Sequence, residues 1–175
     1  MITWDEYQQQ ALTTAIYPLK RELEYTVLGL CSEVGEIGEA YLRKTTDPAE
    51  VLAEIGDNFW YCAAIADALK VPLSLVAQIH PPVSGVYGIS ELLLQIVSQT
   101  SGMAGVVKKS IRDNDGFLSS AGQVKIEEHL NTTLWLLDDL CRRFNTTRTA
   151  VMSKNLNKLA DRKQRGVLQG SGDNR

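Results

Sequence analysis

The chain has 175 residues and a formal net charge of −3, with 44% hydrophobic and 22% charged residues. That length supports one domain with a real core. The small acidic balance speaks against a general nucleic-acid binder, because phosphate-backbone binding rests on a strong basic excess.

Helical periodicity dominates and strand alternation is nearly absent, so we expect an all-α helical bundle. Thr3 with Glu6 makes a capping box for a first helix that Pro18 closes. A long second helix is expected from about Arg21 to Lys44, with Leu28, Cys31, Val34 and Ile37 among its apolar positions. A turn at Thr46-Asp47-Pro48 follows. Asp47 caps the third helix, Pro48 takes its first position and Glu50 completes a capping box, and the helix then runs to Leu69. A short helix comes after Pro72, and the breaker-rich stretch from His80 to Gly88 reads as a linker. Further helices are predicted at about Ile89 to Ile111, Gln123 to Phe144 and Thr147 to Gln164, before a polar, glycine-rich tail.

The two sides of the linker look alike. Leu28, Leu30, Ser32 and Ile37 line up with Leu94, Ile96, Ser98 and Met103, and Trp60, Ile65, Leu69 and Val76 with Trp135, Leu140, Phe144 and Val151. We read this as a degenerate internal duplication of a helical hairpin within a single all-α domain over residues 1–175. Residues 1–79 would be a metal-binding half, and 89–175 a degenerate half plus tail.

The metal reading comes from Glu33 and Glu36 on the second helix and Glu54 and Asp57 on the third. Three-residue spacing puts each pair on one helix face, and the turn between the helices lets the two faces meet. Four converging carboxylates repel one another and lose hydration unless a hard cation sits among them. Oxygen-only ligation suits Mg²⁺, Mn²⁺ or Ca²⁺ and fits structural zinc poorly. The corresponding positions of the second hairpin, Gln99, Gly102, His129 and Thr132, carry no carboxylate. The bland alternative is a pair of solvated acidic helix faces. Against it stand the apolar run from Asn58 to Cys62 and the interleaved Gly35, Gly38 and Gly56, whose cost in a helix points to close backbone or ligand approach. A carboxylate-bridged iron bundle would supply Glu-x-x-His, whereas His80 and His129 follow Ala77 and Ile126 at that spacing. Asp113-Asn114-Asp115-Gly116 resembles a calcium loop, but Ile111 stands where such a loop needs its first acid, so we read a turn.

The segments Leu28–Glu36 and Glu54–Tyr61 together resemble the MazG-type all-α nucleoside triphosphate pyrophosphohydrolases, whose signature is Glu-x-x-Glu, a spacer, then Glu-x-x-Asp. The stretch from Tyr7 to Pro18 is similar to the leading helix of short phage and bacterial members, and Asn155-Leu156-Asn157-Lys158-Leu159 with Arg162 is similar to their tail. About 79–149 is matched only through the internal repeat. The resemblance implies hydrolysis of an NTP or dNTP, dGTP first among the substrates, to a monophosphate and pyrophosphate with Mg²⁺ or Mn²⁺. It implies metal ligands at Glu33, Glu36, Glu54 and Asp57, with Glu36, then Glu33, orienting the attacking water. Asn58, Tyr61, Asn155, Lys158 and Arg162 are assigned to the substrate, as are Arg43 and Lys44, which serve equally well as cations at a helix C-terminus. The basic run Lys154, Lys158, Arg162, Lys163, Arg165 stays open between a solvated face, phosphate contact and nucleic acid. Trp4, Tyr7, Tyr17, Trp60 and Tyr61 are either core or base-stacking residues.

Family members assemble so that one unit completes another's site, so we expect a homo-oligomer, dimer or tetramer. In this chain the tail of the degenerate half would fold over the metal-binding half. The alternative function is a catalytically inactive helical module that binds nucleotide or protein. Cys31, Cys62 and Cys141 read as buried free thiols, no apolar run is long enough to span a bilayer, and the N-terminus has no signal-peptide pattern. A cytoplasmic protein without a membrane partner is expected.

Overall fold

The Thr3 hydroxyl accepts from the Glu6 amide, and the Glu6 carboxylate accepts from the Thr3 amide at 2.8 Å, so the expected capping box opens α1 (Trp4–Leu12). In this computed structural model, which describes residues 1–43, 47–78 and 87–169, α1 stops well before Pro18. Thr13 and Thr14 turn their hydroxyls back onto the carbonyls of Gln10 and Ala11, at 2.8 and 2.7 Å. Such local bonds compete with the helix ladder and account for the early end. A 3-10 turn at Leu19–Arg21 leads into α2 (Glu22–Leu42).

Asp47 caps α3 (Pro48–Ala68) by accepting from the Ala49 amide at 2.9 Å. Glu50 does not play its expected part in that cap, since its carboxylate pairs with Arg43 at 3.5 Å. The short α4 (Leu73–Val76) follows Pro72. Next, α5 (Ile89–Asn114) ends where Asp115 and Gly116 take positive φ of 48° and 84°, so the acidic tetrapeptide is a helix end and turn. The Ser119 hydroxyl accepts from the Gly122 amide and starts α6 (Ser120–Arg143) earlier than the apolar pattern indicated. Thr147 caps α7 (Arg148–Gln164) in the same manner. No strand occurs among the described residues. None of the described helices is long and apolar enough to cross a membrane.

α2 packs along α3 and α5 along α6, and the two hairpins join through α2 against α5 and α3 against α6. Both α1 and α7 lie on α3, which buries one continuous face from Val51 through Ile55 and Phe59 and, over the consecutive run Cys62 to Ala66, its whole circumference. A helix apolar all round belongs inside a fold, and this one carries Glu54 and Asp57 inward with it. Leu30, Ile37, Phe59, Ile96, Met103 and Leu130 are fully buried, each worth about 1.5–3 kcal/mol.

Several corresponding positions of the two hairpins share their burial, although Leu69 is buried and its counterpart Phe144 only partly so. Leu30 and Ile37 are as buried as Ile96 and Met103, and Ile65 as Leu140. The match extends to the surface, where Leu28 is 67% exposed and Leu94 69%. The three cysteines are free thiols: Cys62 and Cys141 are buried, and half-buried Cys31 donates to the Thr100 carbonyl at 3.6 Å. Burial pushes the Cys141 thiol up to about 12.

Candidate metal centre

Three of the four acids expected to converge do so within mutual reach. Glu33 and Glu36 of α2 and Glu54 of α3 each offer an oxygen, and these oxygens lie within 4.8 Å of one another. Octahedral Mg²⁺ holds its ligand oxygens about 3–4 Å apart, so a small side-chain adjustment closes the set on an ion. The donors are all carboxylates, which fits a hard cation.

Burial grades across the cluster: Glu54 is 9% exposed, Glu33 half-buried and Glu36 open to solvent. Burial, followed by repulsion from Asp57, Glu36 and Glu54, pushes the Glu33 carboxyl up to about 8, with Lys158 opposing. Fully buried Asn58 donates to the Glu54 carbonyl at 2.9 Å, while its Oδ1 has no hydrogen-bond partner among the described residues.

Asp57 is engaged from outside the hairpin. Asn155 of α7 donates to its Oδ1 at 2.7 Å and Lys158 to its Oδ2 at 2.6 Å. α7 approaches this closely because Gly56 has no side chain: a Cβ there would stand 3.0 Å from the Asn155 Cβ. Asn155 is anchored in turn by the hydroxyl of fully buried Tyr7, which donates to its Oδ1 at 3.0 Å. Burial and the nearby Asp57 hold the Tyr7 hydroxyl well above the usual range, so it stays a donor. Arg162, one turn beyond Lys158, is 3% exposed.

The basic run therefore divides. Lys158 meets the acids, Lys163 donates to the Thr13 carbonyl at 2.8 Å, Arg165 pairs with Asp161 at 2.7 Å, and Lys154 faces solvent. Arg43 is solvent-exposed beside Glu50 at the end of α2. Lys44, the turn residue Thr46, His80 with the linker residues 79–86, and the tail 170–175 lie outside the described residues.

Of the glycines expected to mark close approach, Gly56 does so, but Gly35 and Gly38 would each point a Cβ into open space. The closest approach is at Gly29, where the Tyr61 ring fills the place of a side chain. That seat puts Tyr61 near the site. Burial raises its hydroxyl pKa, and Tyr25, Glu33 and Asp57 raise it further. Tyr61 continues into an aromatic group, with Trp60 at 5.0 Å, Tyr17 beyond it at 6.1 Å from Trp60, and Tyr25 stacked on Tyr17 at 5.4 Å. Trp60 is tied in place by bonds to the Ala11 carbonyl and the Thr14 hydroxyl. Trp4 packs on Phe59 and under Arg148, away from the acids. Tyr25 lies outside the segments that carry the resemblance, and nothing in the sequence marked Gly29 as the seat of the Tyr61 ring.

In the second hairpin the corresponding residues also meet. The His129 Nδ1 lies 2.8 Å from the Gln99 Oε1, and its ring sits so close over Gly102 that a Cβ there would come within 2.5 Å. Thr132 bonds back to the Glu128 carbonyl at 3.0 Å.

Compared with known proteins, the chain is 36% identical over 88 residues to the Gene 37 protein of Mycobacterium phage L5, a match spanning 50% of this chain and 77% of the phage protein. The chain belongs to the family of that phage protein. No family model matches it, and no solved structure does.

Proposed function

We propose that the chain hydrolyses a nucleoside or deoxynucleoside triphosphate to the monophosphate and pyrophosphate with Mg²⁺ or Mn²⁺. The observation that carries this reading is the arrangement of three carboxylates within 4.8 Å at the α2–α3 seam, with the cationic Lys158 on the fourth. Acids alone would serve any hard cation, whereas acids beside Lys158 supply the two kinds of charge that a metal-bound polyphosphate requires.

Glu33, Glu36, Glu54 and Asp57 would hold the ion, which supplies charge neutralisation at the phosphate oxygens and a more acidic bound water. Glu36, the exposed member, orients water for in-line attack, with Glu33 beside it. Lys158 offsets charge on the β- and γ-phosphates, with Arg162, Arg43 and Lys44 as further cations. Tyr61, on its Gly29 seat, offers an aromatic face to the base, and dGTP stands first among substrates. Asn58 braces the Glu54 backbone from within. The protein works as a cytoplasmic homo-oligomer.

The test is pyrophosphate release from the ordinary ribo- and deoxyribonucleoside triphosphates with Mg²⁺ or Mn²⁺, using Glu36→Ala as the control. Metal-dependent release that Glu36→Ala abolishes supports the reading. Nucleotide binding without release moves the weight to an inactive helical binding module.

A further inference from the structure

We infer that Tyr7 is a positioning residue of the acidic site: its hydroxyl fixes the side-chain amide of Asn155, which in turn holds the Asp57 carboxylate in place beside the Glu33–Glu36–Glu54 group. This rests on the metal reading above.

Tyr7 sits in α1 and is fully buried, so its phenol touches neither solvent nor anything bound at the seam. It donates to the Asn155 Oδ1 at 3.0 Å, with the Gly56 carbonyl as a longer acceptor at 3.4 Å. The other end of the same amide donates to the Asp57 Oδ1 at 2.7 Å. Asn155 is 3% exposed, so water cannot replace either partner. Without the phenol oxygen, the amide oxygen is left buried with no donor, and the side chain must turn to find one. Turning carries its NH₂ group away from Asp57, or brings its oxygen against a carboxylate. Either movement takes the Asn155 hydrogen bond off the Asp57 Oδ1 and loosens the hold of α7 on that carboxylate. Oriented carboxylates bind metal better, and loss of a partner that orients one weakens affinity about 10–100-fold.

The test compares Tyr7→Phe, Asn155→Ala and the double variant in the full chain. Tyr7→Phe removes one atom and keeps the ring, so the fold is retained. Two readouts are used: Mn²⁺ affinity by calorimetry, and hydrogen exchange of the Asn155 side-chain amide by NMR, which needs no metal. Asn155→Ala should weaken Mn²⁺ binding about 10–100-fold, and Tyr7→Phe by less, roughly three- to tenfold. The double variant should be no weaker than Asn155→Ala, since the two residues act in series. In Tyr7→Phe the Asn155 amide should exchange at least about tenfold faster, which a phenol that merely fills the core would not produce.

Amide exchange unchanged in Tyr7→Phe overturns the relay, whatever the metal does. Faster exchange with unchanged Mn²⁺ affinity overturns the positioning role. Should the unsubstituted chain take up no Mn²⁺, the metal reading fails and the positioning role with it, while the amide measurement still decides whether Tyr7 fixes Asn155.

Discussion

The α2–α3 and α5–α6 hairpins bury their main apolar positions alike, Leu30 and Ile37 as Ile96 and Met103, yet they fill their seams with opposite chemistry. In α5–α6 the seam closes on itself: the His129 and Gln99 side chains bond, and the imidazole takes the space that Gly102 leaves. In α2–α3 the same positions bring carboxylates together, and the seam needs opposite charge from elsewhere. Part of that charge comes from Lys158, a residue of neither hairpin. One scaffold thus supports a self-contained hydrogen-bonded pair in one seam and an acidic cluster met by α7 in the other.

The comparison breaks most sharply by substitution of the paired positions. Glu36→Ala should lower Mn²⁺ affinity and turnover by at least about a hundredfold with the helical circular dichroism intact. His129→Ala should leave both within about twofold, and a comparable loss there would mean that the second seam takes part in the chemistry.

The two crowded glycines give the next effect. Gly29→Ala sets a methyl against the Tyr61 ring and should cost about 1–3 kcal/mol in thermal denaturation, displacing Tyr61 as well. Gly102→Ala meets the imidazole in a less severe overlap than Gly29→Ala meets the Tyr61 ring, so its cost should fall lower in that range.

A pH series sharpens the contrast further. The folded-state pKa of Glu33 is raised from 4.5 to about 8, so between those values the folded chain holds a proton that the unfolded chain has lost. Stability should therefore fall as pH rises through that window and level off above about 8. Melting temperatures of Glu33→Gln should show a flatter pH dependence. Mn²⁺, which competes with that proton, should bind more tightly as pH rises. The smallest effect is expected for Gln99→Ala, which removes one hydrogen bond and should cost about 1 kcal/mol.

The helices were legible because their starts are written locally: Thr3 with Glu6, Asp47 before Pro48, Thr147 before the last helix. The meeting of Glu33, Glu36 and Glu54 was legible because i,i+3 spacing is a face whatever the fold around it. Lys158 was half legible, since a basic helix face reads the same in water as against an acid. Tyr7 as a hydrogen-bond donor was not legible, because a tyrosine in an apolar helix reads as core, and its bond to Asn155 exists only after α1 and α7 dock on α3. The glycines misled for a related reason: Gly35 and Gly56 look alike in sequence, and what separates them is whether another helix arrives.

That arrival has a timescale. Asp57 meets Asn155 and Lys158 across 98 and 101 positions of the chain. At a synthesis rate of about 5–20 residues per second, α7 follows α3 out of the ribosome by roughly 5–20 s. For that interval the acidic hairpin stands without its helper helix, and dissolved divalent cations are the counter-charge at hand. The order in which the charges of the seam meet is thus set by where the chain encodes them, with Lys158 the last to arrive.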